Sequence, residues 1–260
     1  MLTVISPAKK LDLRPRDAAA TTPEFAADAM ALVRAARALS GTELQGLMGL
    51  SEGLAQLNRD RFKAFRRNPG PEAVFPAIHC FAGDTYQGLQ AGAMGADALA
   101  WAERRLRLLS GLYGLLRPMD AIQPYRLEMG SRLATARGAD LYAFWGDKIA
   151  KALNRAAVAA GTGVLVNCAS VEYFAAVPRK ALKLQVISPV FLEEKAGEAK
   201  LVSFFAKRAR GAMARYVCDH HLTDPADLRG FDAGGYGYQA GLSTPDRMVF
   251  VRRAEADLAA

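Results

Sequence analysis

Leu2-Thr3-Val4-Ile5-Ser6-Pro7 is a short apolar run cut off by a Ser-Pro turn. A run this short, stopped by proline, reads as a strand. Residues 163–167 (Gly-Val-Leu-Val-Asn) repeat the pattern and read as a second, buried strand. Helical patterns lie around these two runs. Residues 23–38 predict a helix with Thr22 as N-cap and Glu24 in its first turn. Residues 42–65 predict two helices around a tight joint. A strand is expected over 77–82, ending in Gly83-Asp84, then a helix over 96–109 and a long helix over 140–160. Residues 184–192 and 199–205 form an expected hairpin across Lys195-Ala196-Gly197, followed by a helix over 206–221 and a last strand over 247–252. Strands alternating with helices place the chain in the α/β class. No Pro/Gly/Ser-rich linker divides it, so residues 1–260 are expected to form a single compact mixed-sheet domain with surrounding helices.

Charge narrows the function. The 260 residues carry 34 Lys+Arg against 26 Asp+Glu, a net charge of +8. Such an excess favours nucleic acid or anionic membrane and says nothing of fold. A membrane partner is not expected, because no apolar run approaches a bilayer-spanning length. Residues 1–7 lack the basic region of a signal peptide. Cys80, Cys168 and Cys218 are scattered and odd in number, which is no disulfide framework. A reducing cytoplasm is the expected compartment.

The excess charge is concentrated in residues 204–216, where Lys207, Arg208, Arg210 and Arg215 stand among aromatic and small residues without an acid. On a helix these cations spread into a broad basic surface rather than one stripe. Gly211 and Ala212 suggest room for a bulky partner. A polyanion suits such a surface, since each neutralised phosphate releases a counterion. The competing reading is a solvated face whose acids come from elsewhere in the chain.

Residues 47–61 have the layout of a helix-hairpin-helix element: an apolar residue, the joint Gly49-Leu50-Ser51, then a helix ending in Arg59 and Arg61. A tight hairpin exposes amide groups at a helix N-terminus, where a phosphate is well received. Contacts of that kind position a protein on a duplex without reading bases. Ser51 stands where a second glycine is usual, and an ordinary α-turn-α core element is the competing reading.

Several blocks, taken in order, are similar to one known family. They are Ile5-Ser6-Pro7-Ala8-Lys9, Phe81-Ala82-Gly83-Asp84-Thr85-Tyr86-Gln87-Gly88-Leu89, Leu109-Ser110-Gly111-Leu112-Tyr113-Gly114-Leu115-Leu116-Arg117-Pro118, Pro124-Tyr125-Arg126-Leu127-Glu128-Met129, Phe144-Trp145-Gly146-Asp147 and the run from Lys207 to Arg215. Together they resemble the YaaA family, the bacterial peroxide-stress-resistance proteins. The resemblance implies a cytoplasmic protein that limits oxidative DNA damage and lowers free intracellular iron under peroxide. It also implies DNA binding through a positively charged cleft on a single unusual α/β fold. Cys168 departs from the pattern, where an aliphatic residue is expected, and reads as a small buried hydrophobe.

The expected partner is therefore DNA, duplex or distorted duplex, held largely through phosphates, with no protein partner. Lys207, Arg208, Arg210 and Arg215 supply the surface, Gly49 and Ser51 the hairpin backbone, and Arg59 and Arg61 its flank. Lys9, Lys10 and Arg126 are further cleft candidates. A second class stays open, an enzyme acting on damaged nucleotides or nucleobases. Lys9 and Asp84 each follow an expected strand end, where α/β sheets bind ligands. A lysine beside a carboxylate there is a candidate for Schiff-base chemistry at an abasic sugar. No cofactor is expected, and no metal site. Cys218-Asp219-His220-His221 lacks zinc-ligand spacing, and adjacent helical histidines diverge. Phe144 and Trp145 read as core anchors, and Tyr236-Gly237-Tyr238 as a mobile surface loop.

Overall fold

The run at the head of the chain forms a strand, and the main sheet is built outward from it. The computed structural model describes residues 1–15, 21–195 and 197–253. In chain order its elements are β1 (Leu2–Ile5), α1 (Ala26–Arg37), α2 (Gly41–Met48), α3 (Glu52–Ala64), β2 (Phe75–Pro76), α4 (Ala77–Cys80), α5 (Asp84–Leu89), α6 (Ala96–Arg105), β3 (Leu106–Ser110) and β4 (Gly114–Leu116). There follow β5 (Ala121–Ile122), α7 (Leu141–Trp145), α8 (Lys148–Ala159), β6 (Val164–Cys168), α9 (Val171–Phe174), β7 (Gln185–Lys195), β8 (Glu198–Lys200), α10 (Ser203–Asp219), β9 (Gly237–Tyr238) and β10 (Arg247–Arg253).

An eight-stranded sheet runs β4-β3-β1-β6-β7-β10-β9, with β8 paired to β7 off this path. The neighbours β3, β1, β6, β7 and β10 are parallel. β4, β8 and β9 join antiparallel. All of β1 is buried, as expected of a parallel strand covered on both faces. Val4 faces Arg107 of β3 on one side and Asn167 of β6 on the other. From β1 the chain moves to β3, while from β6 it moves away to β7. Adjacent strands that send their connections in opposite directions leave a crevice at their carboxyl ends, where open α/β sheets bind ligands.

α10 packs against α5 and α6 and against β1, β6 and β7. Its contact with α5 is backbone to backbone. A Cβ on Gly211 would lie 1.7 Å from the Thr85 carbonyl oxygen, and one on Gly88 would lie 1.9 Å from the Arg208 carbonyl oxygen. The space expected at Gly211 is therefore already filled by α5.

The α/β class is present, and several expected elements are redrawn by tertiary pairing. Residues 77–82 are no strand: α4 turns after Pro76, its first amides donating to Asp120 and Pro118 carbonyls. The expected helix over 96–109 stops at Arg105, and Leu106–Ser110 becomes β3 because β1 offers a parallel ladder. Apolar runs of that length suit either state, and pairing decides. The expected long helix breaks at Gly146, whose φ of 48° and ψ of −125° few other residues adopt, so α7 and α8 are separate. The expected hairpin forms, yet β8 ends at Lys200 and Phe204-Phe205 already belong to α10. Thr22 does not cap α1, whose N-cap is Phe25.

Tyr236-Gly237-Tyr238 is not a surface loop. β9 pairs with β10, and buried Tyr236 donates its hydroxyl to Glu193 Oε1. Arg252 donates to Glu193 Oε2, with its guanidinium 3.9 Å from the Phe205 ring centroid. This closed network satisfies a buried carboxylate and ties β7 to β10. Phe144 and Trp145 are core anchors as expected, with Trp145 donating to the Gly111 carbonyl at 3.0 Å. No helix among the described residues is long and apolar enough to cross a membrane.

Candidate functional site

The crevice at the β1–β6 switch is a cleft of about 910 Å³. Ser6 to Lys10 enter it from the end of β1, and Cys168, Ser170, Glu172 and Tyr173 from the end of β6. α5 contributes Asp84, α10 contributes Lys207 and Arg210, and Asp12 and Arg14 stand at the side. The two strand-end loops are laced together. The Ser170 amide donates to Ser6 Oγ at 2.9 Å, and Ser6 Oγ donates to Ser170 Oγ at 3.3 Å. The Tyr86 hydroxyl donates to the Ser6 carbonyl at 3.2 Å. Burial pushes the Tyr86 and Tyr173 phenols well up, so both stay neutral donors in the cleft wall.

Lys9 lies in the cleft, but its partner is Glu128 rather than Asp84. Lys9 Nζ is 3.1 Å from Glu128 Oε1, which also accepts from Arg126 Nε at 3.2 Å and Nη2 at 3.0 Å. Glu128 Oε2 is buried without a hydrogen-bond partner among the described residues. Arg126 is thus held by Glu128 and is not part of the cleft lining. Glu172 Oε1 accepts from the Gly130 amide at 3.0 Å, which fixes the cleft's other edge.

The basic helix divides. Lys207 and Arg210 point into the cleft, and Arg208 is exposed outside its lining. Arg215 is committed elsewhere: it pairs with Asp219 and donates to the Gln90 and Ala93 carbonyls, each at 2.9 Å. That corrects its expected place in a free basic surface. Burial depresses the Arg210 pKa, and Cys168 beside it offers no counter-charge, because burial pushes that thiol up to about 12.

The hairpin candidates lie apart from the cleft. α2 is closed at its start by a reciprocal Ser40–Glu43 capping box and ends at Gly49, whose φ is 59°. Gly49 and Ser51 are exposed, and Ser51 makes no side-chain cap to α3. No side chain caps the first turn of α3 among the described residues, and Glu52 in that turn opposes an anion there. Arg61 is half-buried and reaches Asn58 Oδ1 at 3.5 Å, and Arg59 is half-buried on the same helix. None of these residues lines the cleft.

Sequence reasoning missed Ser6, Ser170, Asp12 and Arg14 as cleft residues. Their signal was weak: Ser6 and Ser170 each follow a short, largely apolar run, and only strand order brings those two runs side by side. His220 and His221 diverge, His220 meeting Tyr216 at 4.5 Å and His221 stacking on Trp101 at 4.7 Å between ring centroids.

A family model described as peroxide stress protein YaaA matches residues 1–242. The chain belongs to the YaaA peroxide stress family. It is similar to a UPF0246 protein of Roseobacter denitrificans, 60% identical over 254 residues covering 97% of this chain and 98% of that protein. A UPF0246 protein of Ruegeria pomeroyi is 59% identical over 252 residues, covering 97% and 98% of the two chains. A UPF0246 protein of Jannaschia sp. is 55% identical over 260 residues and the full length of both. The blocks that carried the YaaA resemblance supply much of the cleft: Ser6 to Lys9, Phe81 to Gln87, Glu128, Lys207 and Arg210.

Proposed function

We propose that this YaaA family member serves the peroxide stress response by binding DNA at the β1–β6 cleft, largely through phosphates, and so shields it from oxidative damage. The observation that carries this is the convergence of Lys9, Lys10, Arg14, Lys207 and Arg210 on one cleft at the sheet's switch point. The uncapped N-terminus of α3 is a second phosphate contact in this reading. The cleft is too small for a duplex to enter whole, which favours distorted DNA that can offer a displaced strand or nucleotide. Among the described residues no three His, Cys, Asp or Glu side chains gather to hold a metal ion. The lowering of free intracellular iron under peroxide belongs to the same proposal.

Fluorescence anisotropy with labelled duplex, bulged and single-stranded DNA over a salt series tests the reading. Binding should weaken steeply with salt, log K falling by about 0.9 for each neutralised phosphate. The double variant Lys207→Ala/Arg210→Ala should lose most of it. Absence of binding to every form at low salt would sink the proposal. A second reading, a lyase acting on damaged nucleotides, has one support: Lys9 and Asp84 share the cleft. Lys9 is against it, since a Schiff-base lysine must shed water and counter-ion, whereas Lys9 is 67% exposed and paired with Glu128. Borohydride trapping on abasic DNA that is lost in Lys9→Ala would revive it.

A further inference from the structure

We propose that Arg210 anchors a single phosphate group in the cleft, with Lys207 and Ser170 beside it, so that the cleft holds one nucleotide rather than only following a backbone. The inference rests on the reading of the cleft as a nucleic-acid site and names what it takes.

The first observation is an uncompensated guanidinium. Arg210 is half-buried, yet among the described residues its side chain has no hydrogen bond and no ion pair. None of its nitrogens is among the sealed polar atoms, so they face the open cleft. Most other half-buried arginines in this fold are satisfied, Arg107 by the Glu103 and Leu106 carbonyls, Arg126 by Glu128, Arg215 by Asp219 and two carbonyls, Arg252 by Glu193; Arg59 shares the lack of a partner among the described residues but lies on α3, outside the cleft. A withdrawn charge without a partner costs stability, and a planar fork of donors matches an oxyanion.

The second observation is what surrounds it. Lys207, one helical turn away, also lacks a side-chain partner among the described residues. Ser170 Oγ accepts from Ser6 Oγ at 3.3 Å and from the Tyr173 amide at 3.4 Å, which leaves its own hydrogen to donate into the cleft. The same cleft also carries acids, Asp12, Asp84, Glu128 and Glu172. A continuous phosphate chain would be repelled there. A nucleotide would not, because its sugar hydroxyl and base amino groups donate to carboxylates. Asp84 has no side-chain partner among the described residues and is the acceptor in place for such a donor. A volume near 910 Å³ suits one nucleotide and its water.

The phosphate can belong to a free nucleotide or to one displaced from a strand, and calorimetry separates the two. Deoxyadenosine 5′-monophosphate, deoxyadenosine, inorganic phosphate and a single-stranded oligonucleotide are titrated into wild type, Arg210→Gln and Arg210→Lys. Thermal melts of the same unliganded proteins are recorded. Arg210→Gln should weaken the monophosphate by roughly 10–100-fold, the worth of hydrogen bonds to a charged group. Arg210→Lys should lose less, keeping charge without the fork. Deoxyadenosine should bind as weakly to wild type as the monophosphate does to Arg210→Gln. Unliganded Arg210→Gln should melt no lower than wild type, since it removes a charge that nothing compensates.

Binding of the oligonucleotide alone, with the same dependence on Arg210, supports the anchor and assigns it to a strand. If neither monophosphate nor oligonucleotide senses Arg210→Gln, the anchor is overturned. A lower melting temperature also overturns it, because the guanidinium would then be holding the fold. Duplex anisotropy on Arg210→Gln keeps the two proposals distinct: duplex binding retained while the nucleotide arms fail removes only the anchor.

Discussion

The two ends of α10 carry the same kind of residue and put it to opposite uses. Near the start, Lys207 and Arg210 face a cleft and meet no acid among the described residues. Near the end, Arg215 is folded back onto Asp219 and onto the carbonyls that finish α5 and the turn after it. Both ends read alike as basic surface in the sequence. What separates them is what lies opposite: the mouths of β1 and β6 at one end, and at the other the turn after α5, which presents the Gln90 and Ala93 carbonyls. A run of cations therefore states only a capacity, and the facing element decides whether it is spent on structure or left for a ligand.

The largest expected effect tests whether the cleft end is as dry beneath as the far end. Cys168 lies under Arg210, Cys218 belongs to the far half of α10, and Cys80 sits in α4, all buried. Burial pushes each thiol up to about 12 from an ordinary 9.0. Such groups stay protonated in the folded chain while the unfolded chain loses its protons above pH 9. Their contribution is whole below pH 9 and is lost as pH rises toward 12. By pH 10 the three together should cost about 4 kcal/mol. Urea unfolding from pH 8 to 10 measures it. If Cys168→Ala leaves the slope unchanged, the floor of the cleft is wet and the symmetry of the two ends fails.

Next in size is the joint that carries both ends. Gly211→Ala would put a Cβ 1.7 Å from the Thr85 carbonyl oxygen, a backbone atom with no rotamer to escape into. A loss of about 3 kcal/mol is expected in chemical denaturation. A neutral outcome would mean that α5 slides freely on α10, and the cleft geometry would have to be redrawn.

How much of this was legible in the sequence follows from where each signal resides. Leu2–Ile5 and Val164–Cys168 announced themselves, because strands in the middle of a parallel sheet are largely apolar. Their adjacency did not, since it depends on a pairing across more than half of the chain. The cleft was legible only as fragments, Lys9 and Lys10 in one place and Asp84 in another. Arg215 was misread because Asp219 lies just past the run that was read, and its other partners are the Gln90 and Ala93 carbonyls, backbone acceptors that leave no mark in composition. Leu106–Ser110 was misread for the same reason, as its helical spacing was overridden by the open edge of β1. The Lys9 partner was misread because Glu128 reaches it from a distant segment, whereas Asp84 only looked close in kind.

A smaller effect isolates the structural end of α10. Arg215→Ala removes an ion pair and two hydrogen bonds to the exposed Gln90 and Ala93 carbonyls, of which Gln90 still accepts from the Ala93 amide. A loss of about 1 kcal/mol in urea unfolding is expected. Nucleic-acid affinity of the folded variant should be unchanged. A variant that keeps its stability and loses DNA binding would reverse the roles assigned to the two ends.

The smallest effect on stability is expected at the other end, and it is the more telling. Lys207→Gln removes an exposed charge that touches no acid among the described residues, so stability should move by no more than about 0.5 kcal/mol. The same change should lower the slope of log K against log salt by about 0.9, the release of one counterion. Stability and binding thus part company at Lys207 in the opposite sense to Arg215. A fall in stability with an unaltered salt slope would make Lys207 another structural cation, and would leave Arg210 alone to answer for the chemistry of the cleft.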